Sequence, residues 1–207
     1  MCGIGGFMGA YAVLCRGVLG SAQTLNMMEI VFAVFGRDFH ALLLRVIGFA
    51  LYILGIALVD VIARKTRINL RRYSILINMA GFLILAFIPA SVDPVAGVLP
   101  AFFMLSTQWS VFHGVRGYNS ATVFSTNNLR QTVVSLSGYA FTKDRKLLRD
   151  ALYYLNTLLW FYSSAAISYA AVKSFGALAS LLAFIYAVPA LVMTWSLDKT
   201  PAGSKVN

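Results

Sequence analysis

Apolar residues in this chain run in long unbroken stretches, and polar residues collect in short clusters between them. No Asp, Glu, Lys or Arg occurs in residues 46–59, 73–92, 94–115, 151–172 or 174–197, and the first stretch extends to residue 63 with Asp60 as its one interruption. These lengths approach or reach the ~20 residues with which an α-helix crosses hydrocarbon. They predict five transmembrane helices, with residues 2–15 as a sixth and shorter one. Two weaker apolar segments, residues 24–36 and 126–141, predict short helices that do not span.

The polar clusters repeat. Arg16-Gly17 precedes Thr24-Leu25-Asn26, and Arg116-Gly117 precedes Thr126-Asn127-Asn128. In each case an apolar segment runs into R-G, crosses small residues, reaches T-x-N and resumes as a shorter apolar segment. Non-helical backbone at membrane depth persists only where protein or a water-lined cavity satisfies its polar groups, so these interruptions are the first candidates for function. The duplication divides a single membrane domain, residues 1–207, into a first repeat of about residues 1–92 and a second of about 93–197. Residues 198–207 form a polar tail too short to fold alone.

Composition fixes the class: 59% of residues are hydrophobic and 12% charged, against about 25% charged in a soluble domain. Charge placement then decides the topology. With six spans and two short helices outside the count, all Lys and Arg except Arg16, Arg37, Arg45 and Lys173 share one side, thirteen of the seventeen. If the short segments also spanned, the division would be nine against eight, which is no bias. The positive-inside tendency therefore predicts six spans with both termini cytoplasmic. The net charge of +10 becomes loop bias, and nucleic acid is not an expected partner. Three spans per repeat means that the second enters the membrane in the opposite sense. The expected fold is all-α, with six transmembrane helices in two inverted three-span repeats, each carrying an additional short half-helix. Inverted repeats recur in secondary transporters, with the substrate at the repeat interface; duplication is also a simple route to a stable bundle.

Several residues carry a resemblance. Gly5-Gly6-Phe7-Met8-Gly9-Ala10-Tyr11, Arg16-Gly17 and Ala22-Gln23-Thr24-Leu25-Asn26 in the first half, with Ser125-Thr126-Asn127-Asn128-Leu129-Arg130 and Phe141-Thr142-Lys143-Asp144 in the second, resemble the YoaK-like family of bacterial polytopic membrane proteins, domain of unknown function 1275. The resemblance spans nearly the whole chain. It implies a multi-pass protein of the bacterial cytoplasmic membrane and no specified activity. The family pattern at both interruptions is T-G-N, where this chain has Leu25 and Asn127. Gly and Asn accept positive φ and Leu does not, so the first interruption is expected to be more regular here than in relatives.

Ionisable residues inside the membrane default to functional candidates. Glu29, the only Glu, lies one turn after Asn26, and Thr24, Asn26 and Glu29 are candidate substrate-binding residues. Alternatively, Thr24 or Asn26 caps a helix whose positive end Glu29 favours. The second repeat offers Thr126, Asn128 and Arg130. A Glu29 to Arg130 pair across the repeat interface would neutralise both charges, whereas an Arg130 that snorkels would reach lipid phosphate. Arg16 and Arg116 are read as helix-end charges or interface anchors.

Asp60 and Arg64 have the spacing of an intrahelical ion pair. Asn78, Gln108, His113 and Asn156 are expected to hydrogen-bond between helices or to line a pathway. Gly5 with Gly9, and Gly48 with Gly55, share faces that allow close helix approach. Pro100 and Pro189 are expected to kink their segments. Catalytic and nucleotide motifs are absent, and Cys2 and Cys15 have no disulfide or metal spacing. The N-terminus lacks a basic n-region and cleavage site, so the first segment is expected to be retained. Neither enzyme activity nor a cofactor or metal is expected. The expected function is transport of a small solute or ion; the alternative is a non-transporting component that binds membrane lipids, through the basic loop from Arg64 to Arg72, or a protein partner, with oligomerisation open.

Overall fold

The computed structural model describes residues 1–114 and 117–198. These form eight α-helices and two 3₁₀ segments: α1 (Cys2–Arg16), α2 (Gln23–Phe35), α3 (Phe39–Lys65), α4 (Leu70–Ala86), a 3₁₀ turn (Ala96–Val98), α5 (Leu99–Val111), α6 (Thr126–Thr142), α7 (Arg145–Phe175), a 3₁₀ segment (Gly176–Ala183) and α8 (Phe184–Asp198). No β-strand occurs among the described residues. Each predicted apolar segment contains a helix, and α2 and α6 are the two short helices after the T-x-N motifs.

The ends of these helices follow local chemistry. Gly17 takes φ 66° and its N–H closes on the Val13 carbonyl, stopping α1, because a left-handed cap suits a residue without Cβ. Gly117, its counterpart, has φ 84°. Arg37 (φ 55°) and Lys143 (φ 58°) hold the same left-handed corner after α2 and α6. Each is followed by an Asp that starts the next helix: Asp38 accepts from Ala41 N and Asp144 from Lys146 N. The duplication thus extends through a short helix, a basic left-handed corner and an Asp cap. Neither Leu25 nor Asn127 has positive φ; both are helical, and the reversal falls on the R-G glycine.

Two helical stretches, Phe39–Lys65 and the run Arg145–Ser196 through α7, the 3₁₀ segment and α8, are long and apolar enough to cross a membrane. The helices α1, α4 and α5 have 15, 17 and 13 residues, about 20–26 Å at 1.5 Å per residue, under the ~30 Å hydrocarbon core. Pro100 corrects its expectation: it lies in the first turn of α5, where its missing N–H costs nothing. Pro189 is inside α8 as expected.

The exterior is apolar, and the interior, built around Phe7, Phe82 and Phe102, carries polar residues as well. Ser74, Asn78, Ser106, Thr107, Gln108, Ser168 and Ser180 are fully buried. Phe35, Phe39, Phe87, Phe141, Trp160 and Met193 are exposed. A continuous apolar exterior around a partly polar interior is what lipid, not water, stabilises. With the two candidate spans, it points to a helical membrane protein.

Packing is reciprocal between the halves. The helix α1 of the first packs most extensively on α7 of the second, and α5 of the second packs on α3 of the first. Glycines permit both approaches: a Cβ at Gly6 would meet the Phe161 carbonyl and Ser164, one at Gly5 the Thr122 carbonyl, and one at Gly55 Ser106. Gly48 lies against the Phe102 ring, so the Gly48 and Gly55 face serves as expected, whereas Gly9 meets only Leu19.

Contacts sort the helix ends into two groups. At one end Gln108 donates to the Met1 carbonyl, Arg72 lies over Trp195 and Tyr118 donates to Asp150. At the other, Arg16 donates to the carbonyls of Ile88, Pro89, Ala90 and Val92, Tyr11 to that of Ala177, and His40 lies 3.6 Å from Asp93.

Candidate functional site

The two T-x-N units share one geometry. In α2 the Asn26 amide nitrogen donates to the carbonyls of Leu19 and Ala22, seven and four residues back, at 3.2 and 3.1 Å. In α6 the Asn128 amide nitrogen donates to Ala121 and Phe124, at the same two separations, at 2.8 and 3.5 Å. Both asparagines are buried. Their amides fold the preceding loop against the first helical turn, satisfying carbonyls that hydrocarbon would leave bare.

This corrects the capping expectation. The residues at the cap positions are Ala22 and Ser125, and the asparagines sit within the helices, donating backward rather than accepting helix N–H groups. Thr24 and Thr126 lie on exposed faces at the helix starts, as does Arg130.

The Glu29 to Arg130 pair, one of the two readings of Arg130 above, is not among the ion pairs of the described residues. Glu29 Oε2 lies 3.4 Å from Arg45 Nη2, and Arg45 Nη1 donates to Asn26 Oδ1 at 3.4 Å. The cause is topological: Glu29 lies at the Arg16 end of the bundle and Arg130 at the Met1 end, each beside its own half-helix. The Arg45 side chain is 15% exposed, and the sequence reading missed it. A signal existed, because Glu29 and Arg45 are each eight residues from the corner at Arg37, and antiparallel helices joined by a tight corner bring such positions together. Arg116 lies outside the described residues. Arg16 is a helix-end charge in a specific sense, its guanidinium meeting four carbonyls at 2.9–3.2 Å. Asp60 and Arg64 pair at 2.8 Å as expected, both exposed.

The interior polar residues gather on α4, α5 and the loop before α6. Asn78 Nδ2 donates to the Ser74 carbonyl at 2.8 Å. Gln108 Nε2 donates to the Met1 carbonyl at 3.1 Å and to Thr122 Oγ1 at 3.2 Å. Asn78 Oδ1, Gln108 Oε1, Ser74 Oγ and Ser168 Oγ are buried without a protein partner. Thr122 also lines a cavity of about 140 Å³ with Cys2, Phe112, Gly114, Ser120, Tyr153 and Thr157. A second cavity of about 560 Å³, between the start of α1 and the helices α7 and α8, shares Cys2 and Thr157 with it and is lined further by Asn156, Trp160 and Pro189. His113 and Asn156 are exposed, not interior. Tyr153, which lines the smaller cavity, stacks on Tyr118 at 4.1 Å, and the Tyr118 phenol donates to Asp150 at 3.0 Å. That hydrogen bond raises the Tyr118 phenol above its ordinary pKa. No cluster of His, Cys, Asp and Glu able to hold a metal occurs among the described residues.

No curated protein matches this chain, and no solved structure matches it. The family model described as "Protein of unknown function (DUF1275)" matches residues 1–195, and with the R-G and T-x-N landmarks falling inside that match, the chain belongs to this family.

Proposed function

We propose that the protein is a secondary transporter of a small solute or ion, with its pathway at the interface between two inverted repeats in the bacterial cytoplasmic membrane. The observation that carries this reading is the set of buried, unpartnered oxygens on α4 and α5, Asn78 Oδ1 and Gln108 Oε1 above all. An acceptor left bare at membrane depth is costly, and a passing ligand or water would satisfy it. The inverted arrangement is supported by the two T-x-N units lying at opposite ends of the bundle, each folding back as a short helix beside a long one. In this reading the units are paired half-sites, Thr24, Asn26 and Glu29 at one end and Thr126, Asn128 and Arg130 at the other. The buried asparagines hold each loop in place, and Arg45 fixes the charge of the first.

Alternating access is testable without knowing the solute. Asn78→Cys, in a Cys2→Ser, Cys15→Ser background, is expected to react with a small water-soluble methanethiosulfonate applied from either side of sealed vesicles. Reaction from neither side would sink the transport reading. The alternative, a lipid-binding component, is favoured by the exposed Lys65, Arg67 and Arg71 at the α3–α4 corner, which would hold anionic headgroups. It would be preferred if Asn78→Cys stayed unreactive while the protein retained anionic lipid through purification.

A further inference from the structure

We propose that the seam between α4 and α5, which adjoins the Thr122 cavity through the hydrogen bond from Gln108, binds a small monovalent cation, an alkali-metal or primary-ammonium ion, and that this cation is the transported solute. The inference rests on the transport reading above and adds the substrate class.

The hydrogen-bond network fixes which way each amide points. Asn78 Nδ2 meets a carbonyl, the oxygen of Ser74; a flipped amide would set oxygen against oxygen, so Oδ1 is the atom left over. Gln108 Nε2 likewise meets the Met1 carbonyl, which leaves Oε1 unpartnered. The assignment follows from the partners. Both side chains are fully buried.

Helix register sets the two residues at one level. Gly81 of α4 lies against Met104 of α5, and the helices are antiparallel, since the end of α4 and the start of α5 both lie beside Arg16, at Ile88 and Gly97. Moving three residues back on α4 and four forward on α5 brings Asn78 to Gln108, on the same helix faces. Ser74 Oγ, one turn further along α4, adds a third unpartnered oxygen.

An array of amide and hydroxyl oxygens discriminates by charge. A carboxylate or phosphate would set its lone pairs against those of Asn78 and Gln108; both N–H groups of Gln108 are engaged, by Met1 and Thr122, and one of Asn78 by Ser74. A polyol or an uncharged amide would satisfy the oxygens but bring acceptors of its own. An alkali cation takes oxygen ligands and nothing else, and a primary ammonium has three donors and no acceptor. The surroundings are consistent: Tyr153 lines the Thr122 cavity and stacks on Tyr118, which bonds the Asp150 carboxylate, groups that attract cations. Of the basic residues of that end, Arg145, Lys146 and Arg149 are exposed, and the half-buried Arg72 lies over the Trp195 ring.

The test uses the full chain in vesicles of phosphatidylethanolamine and phosphatidylglycerol, with radiolabelled rubidium and methylammonium as cations, acetate and phosphate as anions, and glycerol as the neutral solute. Uptake of at least one cation is expected above protein-free vesicles by about tenfold, and Asn78→Leu or Gln108→Leu should lower it by about tenfold. Should the leucine variants fail to fold, Asn78→Asp keeps an oxygen at the site and should retain cation uptake at lower half-saturation. Cation uptake unaffected by the leucine variants, or lost in a well-folded Asn78→Asp, would overturn the site. Uptake of acetate, phosphate or glycerol with neither cation would overturn the inference and leave transport standing. No uptake of any probe, with Asn78→Cys unreactive from both sides, would remove the transport reading and this inference together.

Discussion

Asn26 shows what a single residue does at membrane depth: its nitrogen folds a loop onto a helix, and its oxygen receives Arg45, which also meets Glu29. Removing any of the three leaves a polar atom whose alternative partner is hydrocarbon or scarce water. Glu29 and Arg45 should therefore couple. A double-mutant cycle of Glu29→Gln and Arg45→Met, read by unfolding of the purified protein in mixed detergent, is expected to give about 0.5–1.5 kcal/mol of interaction. A cycle that closes to zero would show the pair to be screened at the headgroups. The sequence singled out Asn26, Asn128 and Glu29 as candidates for binding or capping, because polarity in an apolar run is visible. It did not identify those partners. Arg45 stood in another helix, and its pairing depended on the left-handed corner at Arg37.

At the scale of elements, helix identity was legible and helix docking was not. Long apolar runs named every helix, yet runs apolar on all sides carry no stripe to say which face meets which neighbour. Spacing pointed to Gly5 with Gly9 as the contact face of α1. The structure uses Gly5 and Gly6, one against the backbone of the loop before α6 and one against α7. A side chain at Gly6 would have to displace the Phe161 carbonyl, which backbone packing resists, whereas a Cβ at Gly9 would meet only Leu19 Cδ1 at 3.7 Å. Gly6→Leu is therefore expected to cost roughly 2–3 kcal/mol of stability or to prevent folding, while Gly9→Ala should be nearly neutral. Thermal melts in detergent compare them directly. Equal melting temperatures would mean that α1 does not dock on α7 through this face.

For the whole molecule, charge and packing speak to the same question by independent routes. The Lys and Arg count assigns Arg16, Arg37, Arg45 and Lys173 to one side. Hydrogen bonds assign Arg16 and the 88–92 loop to one end of the bundle, with Cys15 reaching Gly176 there, three residues beyond Lys173. His40 beside Asp93 brings the Arg37 corner to that end as well. The Lys143 corner belongs to the opposite one, since the first part of α7 carries Asp150 and Tyr153, which bond Tyr118 and Ser120 next to the start of α1. Two corners of the same construction, basic residue then Asp, thus lie at opposite ends of the bundle. Phe39→Cys and Lys143→Cys, each in a background without Cys2 and Cys15 and each at an exposed position, should react with a membrane-impermeant maleimide from opposite faces: Lys143→Cys only after the cytoplasmic side is opened, Phe39→Cys in intact cells. Reaction of both from one side would place the two T-x-N units on the same face and remove the inverted arrangement on which the paired half-sites depend.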